Sequence, residues 1–280
     1  MTDPGKPDAA AERARWAASG AAWDRWADSM ADPADRVNRP LLDLCGVTAG
    51  DRLLDLASGA GEPALTAATL AGPSGLVVAS DLVEPMLAGA RRRAAANGAH
   101  LAFSLADMTS LPFGARSFDR VTCRFGLMFV PDDRAAVAEM ARVLRPGGRA
   151  AVAVWGPLEG NILFRELAAV LDRHLGPGAL AGLDVLFRHS GAGFLAEVLE
   201  SGGLDGVEVR HLRLSQGVPA DRPFWKATLD MAFSPALATL SPSGREALEA
   251  RIAAHFAGLA DGRGLVPVDM HVVLGAGAAR

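Results

Sequence analysis

The chain has 280 residues, of which 50% are hydrophobic and 21% are charged, and its formal net charge is −4. This apolar content is enough for a full core and excludes wholesale disorder. The charge offers no basic field for a nucleic-acid backbone, and no apolar run is long enough to cross a membrane. Two cysteines, Cys45 and Cys123, cannot build a disulfide framework or a zinc knuckle. We therefore expect a cytoplasmic protein with no nucleic-acid partner and no membrane span.

The N-terminal segment is polar up to residue 12, where we expect mobility, and then becomes helical. Trp16, Trp23, Trp26 and Met30 follow one another at intervals of 7, 3 and 4 residues. This spacing places them on one face of a helix. Such a face either fixes the helix to the core through its indoles or closes over an apolar ligand, and both readings hold together because a lid must also dock. We assign residues 1–40 as an N-terminal helical lid.

From residue 50 onward, short apolar strands alternate with helices. The predicted strands are 52–56, 76–80, 101–105, 119–125 and 149–155. The predicted helices are 62–71, 84–98 and 131–144, the last with Pro131 in its first turn. Runs such as LVVAS and AAVAV are typical of parallel strands that are covered on both faces. Right-handed crossovers between them predict a doubly wound, Rossmann-like α/β fold.

Beyond residue 156 the alternation changes. The predicted helices are 161–175, 177–189, 194–204, 223–240 with an interruption at Pro235, and 242–259. Two further strands are predicted at 206–214 and 266–274. The chain therefore divides into a core at 41–156 and a second part at 157–280, which adds helical insertions and the last two strands.

A glycine-rich turn follows the first predicted strand, in the segment LLDLASGAGEPAL at 53–65. Gly59 and Gly61 allow the backbone to turn sharply and to approach a ligand closely, because neither carries a Cβ. The helix that follows adds N–H groups without partners at its N-terminus. Taken alone, the turn is a weak signal, since a junction of strand and helix can be purely structural.

Acidic residues at the ends of three predicted strands strengthen this interpretation. Asp81 is placed to accept the hydroxyls of a ribose, and Asp107 is placed to meet an adenine amino group. Asp55 lies beside the turn, where a carboxylate would repel the pyrophosphate of a dinucleotide. S-adenosylmethionine carries an ammonium and a sulfonium, so a carboxylate there favours this cofactor over a nicotinamide.

Five segments, in this order along the chain, resemble the class I S-adenosylmethionine-dependent methyltransferases of the ubiquinone/menaquinone-biosynthesis type, also called methyltransferase type 11. They are LLDLASGAGEPAL, VASDLVEPML, LADMTSLPFGARSFDRVTCRFGLMFVPD, LRPGGRAAVAVWGP and HVVLGAG. The resemblance implies a seven-stranded sheet with an antiparallel last strand, a cofactor-binding core at 41–156 and acceptor-side insertions at 157–280. One departure is Ala57, where many relatives have glycine, and alanine is small enough for the position.

The resemblance also implies a set of cofactor-binding residues. Asp55 faces the methionine ammonium, Gly59 and Gly61 pass the methionine, and Asp81 holds the ribose. The remaining positions are Leu82 against the adenine, Asp107 and the Met108 N–H at the adenine amino group, and Arg124 and Phe125 beside the methionine portion and the methyl. The alternatives are helix or turn capping for the two distal acids, ordinary packing for the leucine and a structural ion pair for the arginine.

The methyl acceptor is less sharply defined by the sequence. Methyl transfer needs positioning and exclusion of water more than a base. His174 and His189 are the candidates for taking a proton from the acceptor, with a role on a helix surface as the alternative. No histidine has the spacing of a metal ligand, so we expect no metal.

Apolar side chains in the second part of the chain favour a small, flat or lipophilic acceptor, methylated on oxygen or carbon. Nitrogen and sulfur acceptors stay open, and so does a homodimer. A non-catalytic protein that binds S-adenosylmethionine and a nicotinamide-dependent oxidoreductase are the alternative functions.

Overall fold

The computed structural model describes residues 8–180, 182–191 and 193–280. The described residues contain seven strands that form one sheet in the order β3-β2-β1-β4-β5-β7-β6. These strands are β1 Arg52–Leu56, β2 Leu76–Asp81, β3 Ala102–Leu105, β4 Phe118–Arg124, β5 Leu144–Trp155, β6 Leu204–Pro219 and β7 Leu265–Ala279. The first five strands pair in parallel, and β7 runs antiparallel to both of its neighbours. The predicted doubly wound α/β fold with an antiparallel last strand is confirmed.

Helices cover the sheet and its edges within the described residues. They are α1 Ala9–Ala27, α2 Ala31–Cys45, α3 Ala64–Ala71, α4 Glu84–Asn97, α5 Asp133–Val143, α6 Ile162–Leu175, α7 Leu183–Phe187, α8 Phe194–Ser201, α9 Lys226–Ala232, α10 Ser234–Leu237 and α11 Pro242–Ala257. No helix in this part of the chain is long and apolar enough to cross a bilayer.

The core explains why the strands are apolar on both sides. Leu54 packs with Met140 of α5 on one face of the sheet, and Leu53 packs with Ala67 of α3 on the other. Alternate residues of one strand point to opposite faces, so a strand buried on both faces needs an apolar residue at nearly every position. A separate apolar cluster joins α6, α9 and α11 around Leu167 and Phe256.

The structure departs from the sequence-based elements at the start of the chain. Helix α1 begins at Ala9, with Asp8 accepting a hydrogen bond from the Ala11 N–H at 2.8 Å, so residues 9–12 are helical. Residues 1–7 of the predicted mobile segment lie outside the described residues. Helix α2 was not predicted, although it is buried along one side and includes Pro40.

Two further elements differ from their predictions in the middle of the chain. Helix α5 begins only at Asp133, because Asp132 caps it by accepting the Ala135 N–H at 3.0 Å, so the placement of Pro131 inside the first turn is wrong. The helix predicted at 177–189 is split into a 3₁₀ turn at Pro177–Leu180 and the short α7, with residue 181 outside the described residues.

Helix α1 lies across the structure between two other helices. Gly20 packs so closely on α4 that a Cβ there would lie 2.5 Å from the Pro85 Cβ. The Arg92 guanidinium pairs with Asp24 at 2.9 Å on the same side. On the other side, the Trp26 Nε1–H donates to Asp230 of α9 at 2.9 Å. Helix α1 is therefore attached both to the sheet layer and to the C-terminal helices.

Candidate functional site

A cavity of about 740 Å³ opens at the carboxyl ends of the central strands. This size is within the range of small-molecule sites, and the carboxyl ends of parallel strands are where open α/β sheets bind ligands. We divide its lining into two halves. The strand-end half consists of residues 56–60, 62, 80–82, 106–108 and 124–126. The aromatic half includes Trp16, Trp23, Met30, Phe129, Trp155, Phe164, Met231 and Met270.

The glycine-rich turn forms the floor of the strand-end half. Its φ angles are 51° at Ala57, 53° at Gly59 and 103° at Gly61, all in the left-handed region. A Cβ on Gly59 would meet no atom within 4 Å, so a side chain there would occupy the cavity itself. Gly61 does not line the cavity, and a Cβ on it would lie 3.1 Å from the Leu65 side chain. A side chain at 59 would therefore project into the cavity, whereas one at 61 would be opposed by both the backbone conformation and Leu65.

Asp55 lies behind the cavity wall and is not part of the lining. Its side chain is 0% exposed, and its Oδ1 accepts a hydrogen bond from the Thr122 hydroxyl at 2.8 Å. Its Oδ2 has no hydrogen-bond partner among the described residues. Burial raises the pKa of Asp55 to about 8, against the smaller lowering effect of the Thr122 hydrogen bond. In the ligand-free protein, this carboxyl group is therefore mostly protonated at neutral pH.

Asp81 lines the cavity where β2 ends and joins that strand to the turn. Its Oδ2 accepts the Gly59 N–H at 3.0 Å, and its Oδ1 accepts the Val83 N–H at 3.1 Å. Burial raises its pKa, and these backbone hydrogen bonds partly offset that effect. Leu82 lines the cavity beside it. A carboxylate has more acceptor positions than these two hydrogen bonds use, so capping and ligand binding are compatible here.

Asp107 and Met108 line the cavity after β3. The Asp107 Oδ1 accepts both the N–H and the hydroxyl of Thr109, at 2.9 and 2.7 Å. The turn-capping role that was the alternative for Asp107 is therefore filled by one of its two oxygens. The other oxygen makes no hydrogen bond with the described residues, which leaves it for a ligand.

Arg124 and Phe125 line the cavity at the end of β4. Phe125 stacks on Trp155, with ring centroids 4.1 Å apart and planes inclined by 7°. The Arg124 guanidinium carbon lies 5.3 Å from the Phe125 ring centroid. Within the described chain, no salt bridge involves Arg124, and its buried Nε has no hydrogen-bond partner. Because no carboxylate of the described residues contacts it, the predicted alternative of a structural ion pair has no support in this structure. Burial lowers the pKa of Arg124.

A buried network beside the turn was missed by the sequence reasoning. Arg93 of α4 is 3% exposed and donates to the Ala60 carbonyl and to Glu62, both at 2.8 Å. It also donates to Asp28 at the end of α1, at 2.9 Å. The second oxygen of Glu62 accepts from the Asn38 amide of α2. The network ties the turn to three helices, and both Glu62 and Arg93 line the cavity.

Only part of this network had a signal in the sequence. Glu62 directly follows the last glycine of the turn, and this position next to the glycine-rich motif was its signal in the sequence. Arg93 closes a run of three arginines, and such a run usually indicates a solvated helix face. Its burial depends on contacts with residues that are more than 30 positions away in sequence.

Neither histidine candidate lies at the cavity. His189 is buried, its Nε2 lies 2.9 Å from the Asp133 carboxylate, and burial lowers its pKa. His174 is exposed on α6 beside Arg251. The structure therefore separates both side chains from the place where a methyl group would be transferred. Among the described residues, no three His, Cys, Asp or Glu side chains are grouped as a metal site would require.

Comparisons with known proteins agree with this geometry. The family model described as a methyltransferase domain matches residues 53–148. The ubiquinone/menaquinone biosynthesis C-methyltransferase UbiE of Cupriavidus taiwanensis is 35% identical over 184 residues, which cover 62% of this chain and 75% of that protein. The demethylmenaquinone methyltransferase of Thermus thermophilus is 43% identical over 122 residues, which cover 44% of this chain and 55% of that protein. The fold is similar to that of the YcgJ protein of Bacillus subtilis, with a TM-score of 0.55, 21% identity and coverage of 85% of this chain and 96% of that one.

The sheet order and the cavity at the strand ends define a class I S-adenosylmethionine-dependent methyltransferase. Within this class, the chain belongs to the family of ubiquinone/menaquinone-biosynthesis methyltransferases. The predicted cofactor, S-adenosylmethionine, is confirmed.

The residues present fit this cofactor. The strand-end half offers carboxylate oxygens of Asp81 and Asp107 for hydroxyl and amino groups. It also has open space above Gly59, where a Cβ would meet nothing within 4 Å. The hydroxyls of Ser58 and Ser80 are buried there without hydrogen-bond partners in the described structure.

Proposed function

We propose that this methyltransferase methylates a small, planar, lipophilic acceptor on carbon or oxygen. The observation that carries the proposal is the continuity of one cavity from the carboxylates of the strand-end half to the rings of the aromatic half. The names of the relatives, which place them in quinone biosynthesis, support an aromatic acceptor. The net charge of −4 supports a small molecule over a nucleic acid, and the buried free cysteines support a cytoplasmic location.

The strand-end half is proposed to hold the cofactor. Asp81 accepts the ribose hydroxyls, and Asp107 accepts the adenine amino group with its free oxygen. Leu82 and Met108 cover the adenine, and the turn at Gly59 passes the methionine. Asp55 stays behind the wall as a neutral carboxyl group and supports the strand end through its hydrogen bond with Thr122, without contact with the cofactor. When bound, S-adenosylmethionine supplies an electrophilic methyl group on a sulfonium.

The aromatic half is proposed to position the acceptor and to exclude water. Trp16 lies edge-on to Phe129 with ring centroids 4.7 Å apart, and Trp155 stacks against Phe125 at the border between the halves. A flat ring lying along this wall is held by its apolar area, and an excluded site keeps the transferred methyl from water. Positioning of this kind supplies much of the rate of an in-line displacement.

Helix α1 is proposed to act as the lid that completes the site. It contributes lining residues from Ala9 to Ala27, among them Trp16 and Trp23 of the aromatic half. The Arg13 guanidinium donates to the Leu82 carbonyl at 3.1 Å, which joins the lid to the proposed adenine subsite. The lid therefore covers cofactor and acceptor together.

The test is methyl transfer from labelled S-adenosylmethionine to a reduced demethylmenaquinone and to 1,4-dihydroxynaphthalene, followed by mass spectrometry of the products. We expect a methylated ring with the wild-type protein. Trp16→Ala should raise the KM for the acceptor while the cofactor Kd stays within about threefold, because the indole belongs to the aromatic half. Asp205→Ala, at an exposed ion pair with Arg280, is the matched control. Absence of methylation of both acceptors by a protein that binds the cofactor would refute this acceptor class.

A further inference from the structure

We propose that Arg124 binds an anionic oxygen of the methyl acceptor, so that the acceptor is a planar molecule with an ionisable hydroxyl near the methylated position. This inference rests on the proposed function, since it names a group on the acceptor of the same reaction. It assigns to Arg124 a contact with the acceptor, beyond its position at the border of the cofactor subsite.

The first observation is a guanidinium without a partner. A guanidinium carries five N–H donors and a full charge, and a half-buried one is ordinarily paired with a carboxylate. Arg93, which also lines the cavity, is paired in that way with Glu62 and Asp28. In the described structure, Arg124 has neither an ion pair nor a hydrogen bond, and its Nε is buried. Glu62 and Asp55 act on this charge from a distance and work against the lowering of its pKa, but neither contacts the guanidinium. Its N–H donors are therefore left for a ligand that enters the cavity.

The second observation is the place of this charge between the two halves. The guanidinium lies over the Phe125 ring, at 5.3 Å from its centroid. Phe125 in turn stacks on Trp155, which meets Phe164 edge-on at 4.9 Å. An acceptor ring that continues this aromatic wall has its edge beside the guanidinium. The planar guanidinium can donate two hydrogen bonds to an oxygen on that edge. These hydrogen bonds are strongest when the oxygen is ionised.

The chemistry follows from the charge of this oxygen. The acceptor hydroxyl gives its proton to water, and Arg124 stabilises the oxyanion that remains. The electron pair on that oxygen, or on the adjacent ring carbon that it activates, forms the bond to the methyl carbon as the carbon–sulfur bond breaks. The sulfur keeps the pair from the broken bond and loses its positive charge. After transfer to carbon, the displaced ring proton goes to water and the aromatic ring is restored.

The test uses 7-hydroxycoumarin, a flat phenol whose ionised form has its own absorption band, and 7-methoxycoumarin, which cannot ionise. Both probes are titrated into the full-length protein saturated with S-adenosylhomocysteine, so that the strand-end half is filled. In the wild type, we expect the pKa of the bound phenol to fall by about one unit or more. We also expect an affinity for the hydroxy probe at least about tenfold above that for the methoxy probe near pH 8.

Two variants separate the charge of Arg124 from its size. Arg124→Met keeps the length of the side chain and should abolish both the pKa fall and the preference for the hydroxy probe. Arg124→Lys keeps the charge and should retain part of both effects. For each variant, calorimetry first gives the Kd for S-adenosylhomocysteine, and the probes are then titrated at a concentration that saturates that variant.

Three results would overturn the proposal. One is that the hydroxy probe does not bind the wild type, or binds no better than the methoxy probe. A second is that Arg124→Met leaves the phenol shift intact. A third is that Arg124→Met weakens the binding of S-adenosylhomocysteine by tenfold or more and leaves the pKa of the bound phenol unchanged. Arg124 would then bind the carboxylate of the cofactor. Failure of the labelled methyl-transfer assay, by contrast, would count against the proposed function and would leave these binding results standing.

Discussion

Replacing Asp55 by asparagine should change how the stability of the protein depends on pH. Asparagine keeps the oxygen that accepts from the Thr122 hydroxyl and removes the titrating group. The pKa of Asp55 is about 8 in the folded protein. It is about 4 in an unfolded chain, so folding of the wild type retains a proton that the unfolded chain loses as the pH rises.

The sign and size of the effect follow from this difference. Below about pH 4 the carboxyl group is protonated in both states and has no effect on the free energy of unfolding. Between about pH 4 and 8 the raised pKa destabilises the folded state by about 1.4 kcal/mol for each pH unit, which reaches about 4 kcal/mol at pH 7. The Asp55→Asn variant has no carboxyl group at this position, so its free energy of unfolding does not fall for this reason as the pH rises. Its stability relative to wild type should therefore rise by roughly 3 kcal/mol between about pH 5 and about pH 7.5.

Urea denaturation of both proteins across this pH range measures the effect, with equal m-values as the check that the unfolding reaction is unchanged. Asp205→Asn is the control, because the Arg280 ion pair lowers the pKa of Asp205 and the group is ionised in both states throughout this range. Parallel profiles for wild type and Asp55→Asn would show that Asp55 is ionised in the folded protein, and the reasoning from its burial would be refuted.

Three further substitutions test the site. Arg93→Met should lower the free energy of unfolding by about 3–5 kcal/mol, because it leaves a buried carboxylate without its cation. The exposed neighbour Arg92→Met should lower the free energy of unfolding far less in the same denaturation assay, and equal losses would contradict the reasoning. Gly126→Ala would place a Cβ 2.4 Å from the Ala57 methyl and should cost about 1–3 kcal/mol. The double variant with Ala57→Gly should recover at least about 1 kcal/mol of this loss, whereas additive losses would exclude the contact. Asp81→Ala should weaken calorimetric cofactor binding by about 1–3 kcal/mol, and an unchanged Kd would remove Asp81 from the ribose subsite.

The parallel strands were predictable because their cause is local. The strand at 52–56 was predicted with the bounds that the structure gives, and 76–80 misses the observed end by one residue. Each is a mainly apolar run that follows a turn with a glycine, Gly50 or Gly75, and the pattern needs no knowledge of distant contacts. Asp55 and Asp81 were predicted for the same reason, because residues at the carboxyl ends of parallel strands lie at the edge of the sheet where ligands bind.

The rest of the site depends on contacts that sequence does not show. The charge argument for Asp55 assumed an ionised carboxylate facing the ligand, but the residue is enclosed by the sheet and its pKa is raised. The pairing of Arg93 with Glu62 joins residues 31 positions apart. Helix α2 was missed because polar residues and Pro40 obscure its apolar side, which becomes clear only when Val37 and Leu41 are seen against the sheet.

The proposed lid role of helix α1 would give the cofactor and the methyl acceptor one shared entrance. The helix is fixed to α4 through Arg92 and Asp24 and to α9 through Trp26 and Asp230. Under this proposal, spent cofactor and methylated product leave after the same opening motion of the helix, and fresh molecules of both kinds enter after it. A substitution that loosens either attachment should speed the release of both products in concert, and it should also let water reach the donor between turnovers.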